Sequence, residues 1–175
     1  MTNAQIADLL DQTADLLEFT GANAFRVRAY RNSARAIRDL PETVESIVED
    51  DPKRLIKISG IGKSVAEKCE TIIETGELPQ LKELREQVPQ TVLSMLRIPG
   101  MGPKKAAVLY NELGITTLEQ LKEACDTHKV RSLKGFGAKS EETILKGLAV
   151  ADTANQRITW ATADQIALAL KDHMI

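Results

Sequence analysis

Aromatic residues and long apolar runs are both scarce in this sequence. Phe, Trp and Tyr make up 3% of its 175 residues, whereas hydrophobic residues as a whole reach 43%. A chain of this length and composition can bury one core or two small ones, so we expect two compact units. Few aromatic residues together with much Ala, Leu, Glu, Lys and Gln favour helices over a sheet sandwich. The sequence therefore predicts an all-α globular protein, and the lack of an apolar run long enough to span a bilayer predicts no membrane partner.

Cysteine pairs and a targeting segment are also lacking. Cys69 and Cys125 show no CxxC spacing and lie in helical patterns, so we expect buried thiols rather than a disulfide or a zinc site. His128 and His173 have no companions at ligand spacing, which predicts no transition-metal site. The first residues carry neither a basic leader nor an apolar signal core. We therefore expect a cytoplasmic protein.

The chain has no excess of positive charge, since its formal net charge is -2. A nucleic-acid partner would therefore need a local basic patch. The charge is strongly segregated along the chain: residues 39–51 are rich in acids, whereas residues 26–38 hold five arginines and no acid. The first predicted helix is acidic as well, through Asp8, Asp11, Asp15 and Glu18.

The arginine-rich segment has the pattern of an amphipathic helix that begins after a cap at Asn23. Its apolar stripe and an arginine row share the same spacing, one residue apart, so the two rows lie about 100° apart around the helix. No Glu stands between the arginines, which favours an anion-binding surface over a merely solvated face. We expect the acidic first helix to face away from it. The stripe is Val27, Tyr30, Ala34 and Ile37, and the row is Arg28, Arg31, Arg35 and Arg38.

A Gly-apolar-Gly step precedes a predicted helix three times, at residues 60–62, 100–102 and 135–137. Glycine at both positions permits positive φ and a close approach to another backbone or a phosphate, and the middle residue can fill the core. The following helix start offers free N–H groups and a positive dipole end to an anion. A plain interhelical turn is the alternative, but three copies favour a phosphate ligand. Lysines in the following first turns add positive charge: Lys63, Lys104, Lys105 and Lys139.

These stretches resemble the helix-hairpin-helix motif, which binds the DNA backbone without reading sequence. "ISGIGKSVAEK" and "IPGMGPKKAAV" fit it well, with Ala66 and Ala106 at the small-residue position, whereas "LKGFGAKSEET" has Glu141 there. Together with "RAYRNSARAI" and the connecting "ETGELPQL", they resemble the amino-terminal half of the X-family DNA polymerases, the relatives of DNA polymerase beta, especially the bacterial and archaeal type. The resemblance covers nearly the whole chain.

The resemblance implies an all-α architecture of two units. Residues 1–86 are similar to the family's lyase-type domain with one helix-hairpin-helix, and residues 88–150 to its tandem helix-hairpin-helix domain, with "REQVPQ" as the joint. Residues 151–175 resemble the helix that leads into the family's catalytic palm. The palm's Asp-x-Asp pair after Gly-Ser, which holds the Mg²⁺ ions of nucleotidyl transfer, does not occur in this sequence. We therefore expect no polymerase activity from this chain alone.

A second chemistry is implied by Lys68, which stands where some family members form a Schiff base with an abasic deoxyribose phosphate. Arg26 and Tyr30 match the family's phosphate pocket, whereas Ser64 and Ile56 stand where mammalian members have lysines. The family also binds Na⁺ or K⁺ through backbone carbonyls at its hairpins, and no other cofactor is needed for binding. The carbonyls that match are those of Ile56, Ile58 and Ile61 in the first hairpin, and of Leu96, Ile98 and Met101 in the second.

The sequence thus predicts a monomer that binds gapped or nicked duplex DNA, with preference for a 5′-phosphate, as part of a base-excision repair polymerase. Two alternatives remain open: an abasic-site lyase that uses Lys68, and a helical scaffold for other proteins. The residues expected to contact DNA are Arg26, Arg28, Tyr30, Arg31, Arg35, Gly60, Gly62, Lys63, Ser64, Lys68, Gly100, Gly102, Lys104, Lys105, Gly135, Gly137 and Lys139.

Overall fold

A computed structural model of the chain describes residues 1–150. In this part of the chain the regular structure is entirely helical, as predicted, and none of its helices is long and apolar enough to cross a membrane. The predicted helix of residues 151–175 and His173 lie outside the described residues. The α-helices are α1 (Asn3–Phe19), α2 (Ala24–Arg38), α3 (Val44–Asp50), α4 (Lys53–Lys57), α5 (Lys63–Thr75), α6 (Pro79–Gln87), α7 (Gln90–Met95), α8 (Pro103–Leu113), α9 (Leu118–Asp126) and α10 (138–150), with a 3₁₀ turn at Val130–Ser132 between α9 and α10.

The first two helices pack side by side and begin at side-chain caps. Thr2 and Gln5 form a capping box at the start of α1, and Asn23 accepts a hydrogen bond from the backbone N–H of Phe25 at the start of α2 (2.8 Å). These bonds satisfy amides that have no partner within a helix. The predicted cap at Asn23 is therefore confirmed. So is the predicted buried stripe, because Val27, Tyr30, Ala34 and Ile37 are all at most 5% exposed.

Helices α3 to α6 complete the first unit around α1 and α2. Leu55 of α4 and Ile72 of α5 are fully buried, and α6, which packs against α1, buries Leu81 and Leu84. The predicted buried thiol of Cys69 lies in this core, where its burial raises its pKa to about 12. The first unit thus presents one face of α2 beside the start of α5.

Helices α7 to α10 form the second unit, which follows after Val88 and Pro89 in the predicted joint. Gly147 of α10 lies against Ile98, so close that a Cβ there would come within 2.4 Å of the isoleucine side chain. The close approach of α10 to the loop before α8 therefore depends on glycine. Cys125 is buried in this unit, as predicted.

The two units contact each other through α1 and α8. The rings of Phe19 and Tyr110 meet edge to face with their centroids 5.9 Å apart, a favourable geometry for an aromatic pair. Lys104 at the start of α8 lies 3.6 Å from the carboxylate of Glu18. The last turn of α1 is thus the point where the first unit touches a helix of the second.

The acidic face of α1 lies against the arginine row of α2, so the expectation that this helix faces away is wrong. Arg31 pairs with Asp15 (2.8 Å) and Glu18 (2.9 Å). Arg38 likewise pairs with Asp8 and Asp11, each at 2.6 Å. Carboxylates on α1 recur at the spacing of one helical face, so they meet arginines two turns apart on the neighbouring helix.

Candidate nucleic-acid interface

The three Gly-apolar-Gly steps form turns of the same geometry, which we call the first turn (58–62), the second turn (98–102) and the third turn (133–137). In each, the N–H of the middle apolar residue donates to the carbonyl three residues earlier, and the intervening glycine has positive φ, as in a type II β-turn. The bonds run from Ile61 to Ile58 (3.1 Å), from Met101 to Ile98 (3.0 Å) and from Phe136 to Leu133 (3.1 Å).

The two glycines of each step serve different purposes. The leading glycine of each turn requires positive φ, with +94° at Gly60, +79° at Gly100 and +88° at Gly135. The second glycine does not: Gly62 and Gly102 have φ of −82° and −87°. Glycine would permit positive φ at either position, but only the leading glycine of each turn adopts it. Backbone strain explains only the leading glycine.

The middle residue of each turn fills the core, as predicted. Ile61 and Met101 are each 4% exposed and Phe136 is 8% exposed. Burying such a side chain fixes the turn to the body of the unit, at a gain of about 1.5–3 kcal/mol. Each turn is therefore held rigidly while its glycines stay exposed at the surface.

A helix begins directly after each turn, also as predicted. Gly62 is the N-cap of α5 and Gly102 the N-cap of α8, and no side chain caps either helix. Within the described residues, a Cβ added at Gly62 or Gly102 would meet no atom within 4 Å. The free backbone N–H groups at these helix starts can donate hydrogen bonds to an anion from outside the chain, and the positive end of the helix dipole favours its negative charge. Lys63 and Lys104 in these first helical turns are exposed.

The first turn is joined to α2. The Ser33 hydroxyl donates to the carbonyl oxygen of Gly60 (2.7 Å), and a Cβ at Gly60 would come within 3.3 Å of Ala36. This contact brings the start of α5 beside the arginine-rich helix. The predicted sites on residues 26–38 and on the first turn thus belong to one surface region.

The second and third turns are neighbours as well. The Lys105 ammonium in the first turn of α8 lies 5.7 Å from the centre of the Phe136 ring of the third turn. On the other side, a Cβ at Gly100 would come within 3.2 Å of Thr143 in α10. Lys139 is exposed at the start of α10. The starts of α8 and α10 therefore form a second basic region in the described part of the chain.

The third turn differs from the others at the position of the small residue. Ala66 and Ala106 are fully buried behind the first two turns, but the matching Glu141 is also buried, at 2% exposed. Its carboxylate lies 2.9 Å from His128 Nδ1 and accepts hydrogen bonds from Arg131. The Arg131 guanidinium outweighs burial and holds the Glu141 pKa below its usual value. The third turn therefore has an ion pair, the buried Glu141 with Arg131, at the position where the other two turns have alanine.

Only part of the predicted arginine row is available at the surface. Arg31 and Arg38 are paired with carboxylates of α1. Arg28 and Arg35 are exposed, and the Arg28 guanidinium lies 5.6 Å from the centre of the Phe25 ring. Phe25 itself is 77% exposed. Phe25 was not among the predicted site residues, although its place in the first turn of an arginine-rich helix was a signal.

Lys68, at the position expected for a Schiff base, and Tyr30, at a position expected for the phosphate pocket, come together between α2 and α5. The Lys68 ammonium lies 5.9 Å from the centre of the Tyr30 ring. It also donates to the Ser64 hydroxyl (2.9 Å) and the Ser64 carbonyl oxygen (3.2 Å). Burial raises the pKa of Tyr30, against a smaller opposing effect of the Arg26 guanidinium, so the phenol keeps its proton at neutral pH. Arg26, Tyr30, Ser64 and Lys68 therefore form one cluster.

A fifth member of this cluster was not predicted. The Tyr30 hydroxyl donates to the side-chain oxygen of Gln80 in α6, at 2.5 Å. The two residues are fifty positions apart, and a lone glutamine in a helix start carries no signal of such a contact. Ile56, the other departure from the family's lysine pattern, is 45% exposed in α4.

Metal-binding side chains are not grouped in residues 1–150. No set of three or more His, Cys, Asp or Glu there could hold a metal ion. The carbonyls predicted to hold a monovalent cation lie where α4 and α7 run into the first and second turns. The carbonyls of Ile58 and Ile98 accept the hydrogen bonds that close the turns, and each carbonyl oxygen has a second lone pair.

Comparison with known proteins finds helix-hairpin-helix domains in two segments of the chain. Residues 1–78 match a helix-hairpin-helix domain, and residues 92–149 match a SAM-like helix-hairpin-helix tandem. Helix-hairpin-helix domains are thus matched in two successive segments of the described residues. It is 38% identical over 174 residues, or 99% of its length, to the DNA polymerase/3′-5′ exonuclease PolX of Bacillus subtilis (strain 168). The chain spans 30% of the length of that relative. The resemblance to an X-family DNA polymerase is therefore confirmed.

Proposed function

We propose that the chain binds the phosphate backbone of gapped or nicked duplex DNA without reading base sequence, as the DNA-binding part of a repair polymerase. The matched helix-hairpin-helix units and the similarity to a DNA polymerase support DNA as the partner. Because the chain spans 30% of that relative, this proposal concerns binding and not polymerisation.

The observation that carries the proposal is the pair of glycines Gly62 and Gly102. Neither has positive φ, and a Cβ at either position would meet no described atom of the chain. Internal packing and backbone strain therefore give no reason for glycine. A phosphate group held by the following helix amides would give one, because a Cβ at the N-cap stands in its path. Lys63, Lys104 and Lys105 would then neutralise the bound phosphates.

Phe25 supports a gap rather than uninterrupted duplex. A largely exposed aromatic ring offers a stacking surface for an unpaired base, worth about 1–3 kcal/mol in single-strand binding proteins. Arg28 lies beside this ring, and the cluster around Arg26 and Lys68 suits a terminal phosphate on the neighbouring strand. A gap presents both an unpaired base and a 5′-phosphate end, so both features would be used at once.

The test measures binding to three labelled duplexes: uninterrupted, gapped with a 5′-hydroxyl, and gapped with a 5′-phosphate. Each is titrated at low and moderate salt by fluorescence anisotropy. We expect the phosphorylated gap to bind most tightly, with log K falling by about 0.9 per phosphate contact against log salt. Equal weak binding to all three would reject gap recognition. No binding at low salt would reject DNA as the partner and favour a protein-interaction scaffold.

A monovalent cation at the first two turns is the second part of the proposal. Helices α4 and α7 end with carbonyls that lack intrahelical partners, at the negative end of the helix dipole. Those of Ile56 and Leu96, with the carbonyls of the turns, are suitable oxygen ligands for Na⁺ or K⁺ when a DNA phosphate supplies the remaining charge. Replacing K⁺ by tetramethylammonium at equal ionic strength should weaken DNA binding. Unchanged affinity would contradict the cation site.

A second candidate function, abasic-site lyase activity, is favoured by the position of Lys68. Its ammonium lies against Tyr30 and Ser64 in the phosphate cluster, close to where a 5′-deoxyribose phosphate would be held. The lysine amine would attack the sugar aldehyde with loss of water, and β-elimination from the Schiff base would release the DNA 5′-phosphate end. Borohydride should trap the intermediate with the unsubstituted chain and not with Lys68→Ala. Equal trapping of both would exclude Lys68.

A further inference from the structure

Tyr30 links three side chains of the phosphate cluster that come from three different helices. Its ring faces the Lys68 ammonium of α5, and its hydroxyl donates to Gln80 of α6. A phenol has one proton to donate and accepts through its oxygen lone pairs. With the proton directed to Gln80, the oxygen can accept a hydrogen bond from the neighbouring Arg26 guanidinium and cannot donate to a bound phosphate in the same arrangement.

Gln80 is held in place by its own helix. Pro79 occupies the first position of α6, where its fixed φ favours the helix start. Leu78 and Leu81, which flank this pair, are 4% and 2% exposed. At the other end of the helix, Arg85 donates to Gln12 of α1 (2.5 Å). The acceptor for Tyr30 is therefore carried by a helix anchored at both ends.

We propose that Gln80 is a positioning residue for 5′-phosphate recognition, which fixes the Tyr30 hydroxyl so that Arg26 and Lys68 are the groups that contact the phosphate. This inference rests on the proposed binding of gapped DNA and adds to it the residue that orients the pocket. Gln80 itself need not touch the ligand, since it acts through Tyr30.

The proposal predicts a specific coupling between Gln80 and Tyr30. The readout is the phosphate preference, defined as the Kd for a 5′-hydroxyl gap divided by the Kd for a 5′-phosphate gap with the full chain. Loss of one hydrogen bond is worth a few-fold to tenfold in affinity, so Gln80→Leu should lower this preference about three- to tenfold. In a chain that also carries Tyr30→Phe, the same substitution should change nothing further, because the hydroxyl is already absent.

Gln87→Leu is the matched control, because Gln87 is an exposed glutamine on the same helix. This substitution should leave the phosphate preference unchanged. A purely structural role of Gln80 would weaken both gapped DNAs equally and leave their ratio intact. Such a result would overturn the inference, as would an equal loss of preference with and without the Tyr30 hydroxyl. If the unsubstituted chain showed no phosphate preference, the proposed function would fail first and the inference with it.

Discussion

The carboxylate of Glu141 accepts three hydrogen bonds from Arg131: from its backbone N–H (3.1 Å), its Nε (3.0 Å) and a terminal guanidinium nitrogen (2.7 Å). The acceptor is almost completely buried, whereas the arginine remains partly exposed. A buried carboxylate requires such compensation, because leaving it unpaired in a low-dielectric interior is costly. The pair therefore joins the loop after α9 to the start of α10.

This pair predicts an acid-sensitive second unit. The Glu141 pKa is lowered in the folded chain, so its contribution to stability is complete above the unfolded value of about 4.3 and is lost as pH falls through the lower folded value. The urea concentration at the unfolding midpoint should therefore decrease as the pH is lowered from 7 to 3. Glu141→Gln should be less stable at pH 7 and show a flatter decline. An unchanged pH dependence in this variant would contradict the assignment.

Substitution by alanine should affect stability at one glycine of the first turn and DNA binding at the other. Gly60→Ala places a Cβ at φ of +94° and 3.3 Å from Ala36, which should cost about 1–3 kcal/mol of stability. Gly62→Ala meets no such obstacle and should cost about 1 kcal/mol or less, but should weaken DNA binding about tenfold or more by obstructing a phosphate. Thermal unfolding and anisotropy measured on both variants test this. Normal DNA affinity in folded Gly62→Ala would refute the role of this glycine.

The arginine row should divide into a binding pair and a structural pair. Arg28→Glu and Arg35→Glu change exposed residues without partners on α1, so they should weaken DNA binding, reduce its salt dependence and leave stability nearly unchanged. Arg38→Glu would face Asp8 and Asp11 and should lower stability, although each exposed ion pair contributes only about 0–1 kcal/mol. If Arg38→Glu reduced binding as much as Arg28→Glu at equal stability, this division would be wrong.

The two thiols should be unreactive in the folded chain. Burial raises the pKa of Cys69 to about 12 and that of Cys125 to about 11, so the nucleophilic thiolate is scarce at pH 8. Iodoacetamide labelling at pH 8 should be slow for the native chain and fast in urea, as followed by intact mass. Because folding favours the protonated thiols, stability should also decrease as pH rises above about 8.5. Rapid native labelling at Cys69 would contradict the burial.

The parts of this chain that could be predicted from sequence are those set by local geometry. A turn closed over three residues, its leading glycine and its apolar middle residue lie within five positions, so their pattern recurs visibly as in 58–62 and 98–102. The buried stripe on α2 follows equally from helical periodicity. Such features need no knowledge of the remaining fold.

The parts that could not be predicted depend on partners from distant segments. The arginine row has no acid within its own helix, and the carboxylates that pair with Arg31 and Arg38 come from α1 after two helices have packed. The same holds for Gln80, whose contact with Tyr30 requires α6 to fold back beside α2. Glu141 was recognised as a departure from the motif, but its burial with Arg131 depends on the loop after α9.

In each turn the middle residue is buried and the glycines are exposed. The positions that hold the turn in place are therefore separate from those at its surface. Since Phe136 and the partly buried Leu133 anchor the third turn in the core, the surface positions around them can change their chemistry while the backbone path stays the same. Glu141 is an instance: a position occupied by alanine in the two other copies now carries an internal charge pair, and the turn keeps its shape. A hairpin built in this way can exchange the side chain at such a position, from alanine to a paired carboxylate, and keep its backbone path.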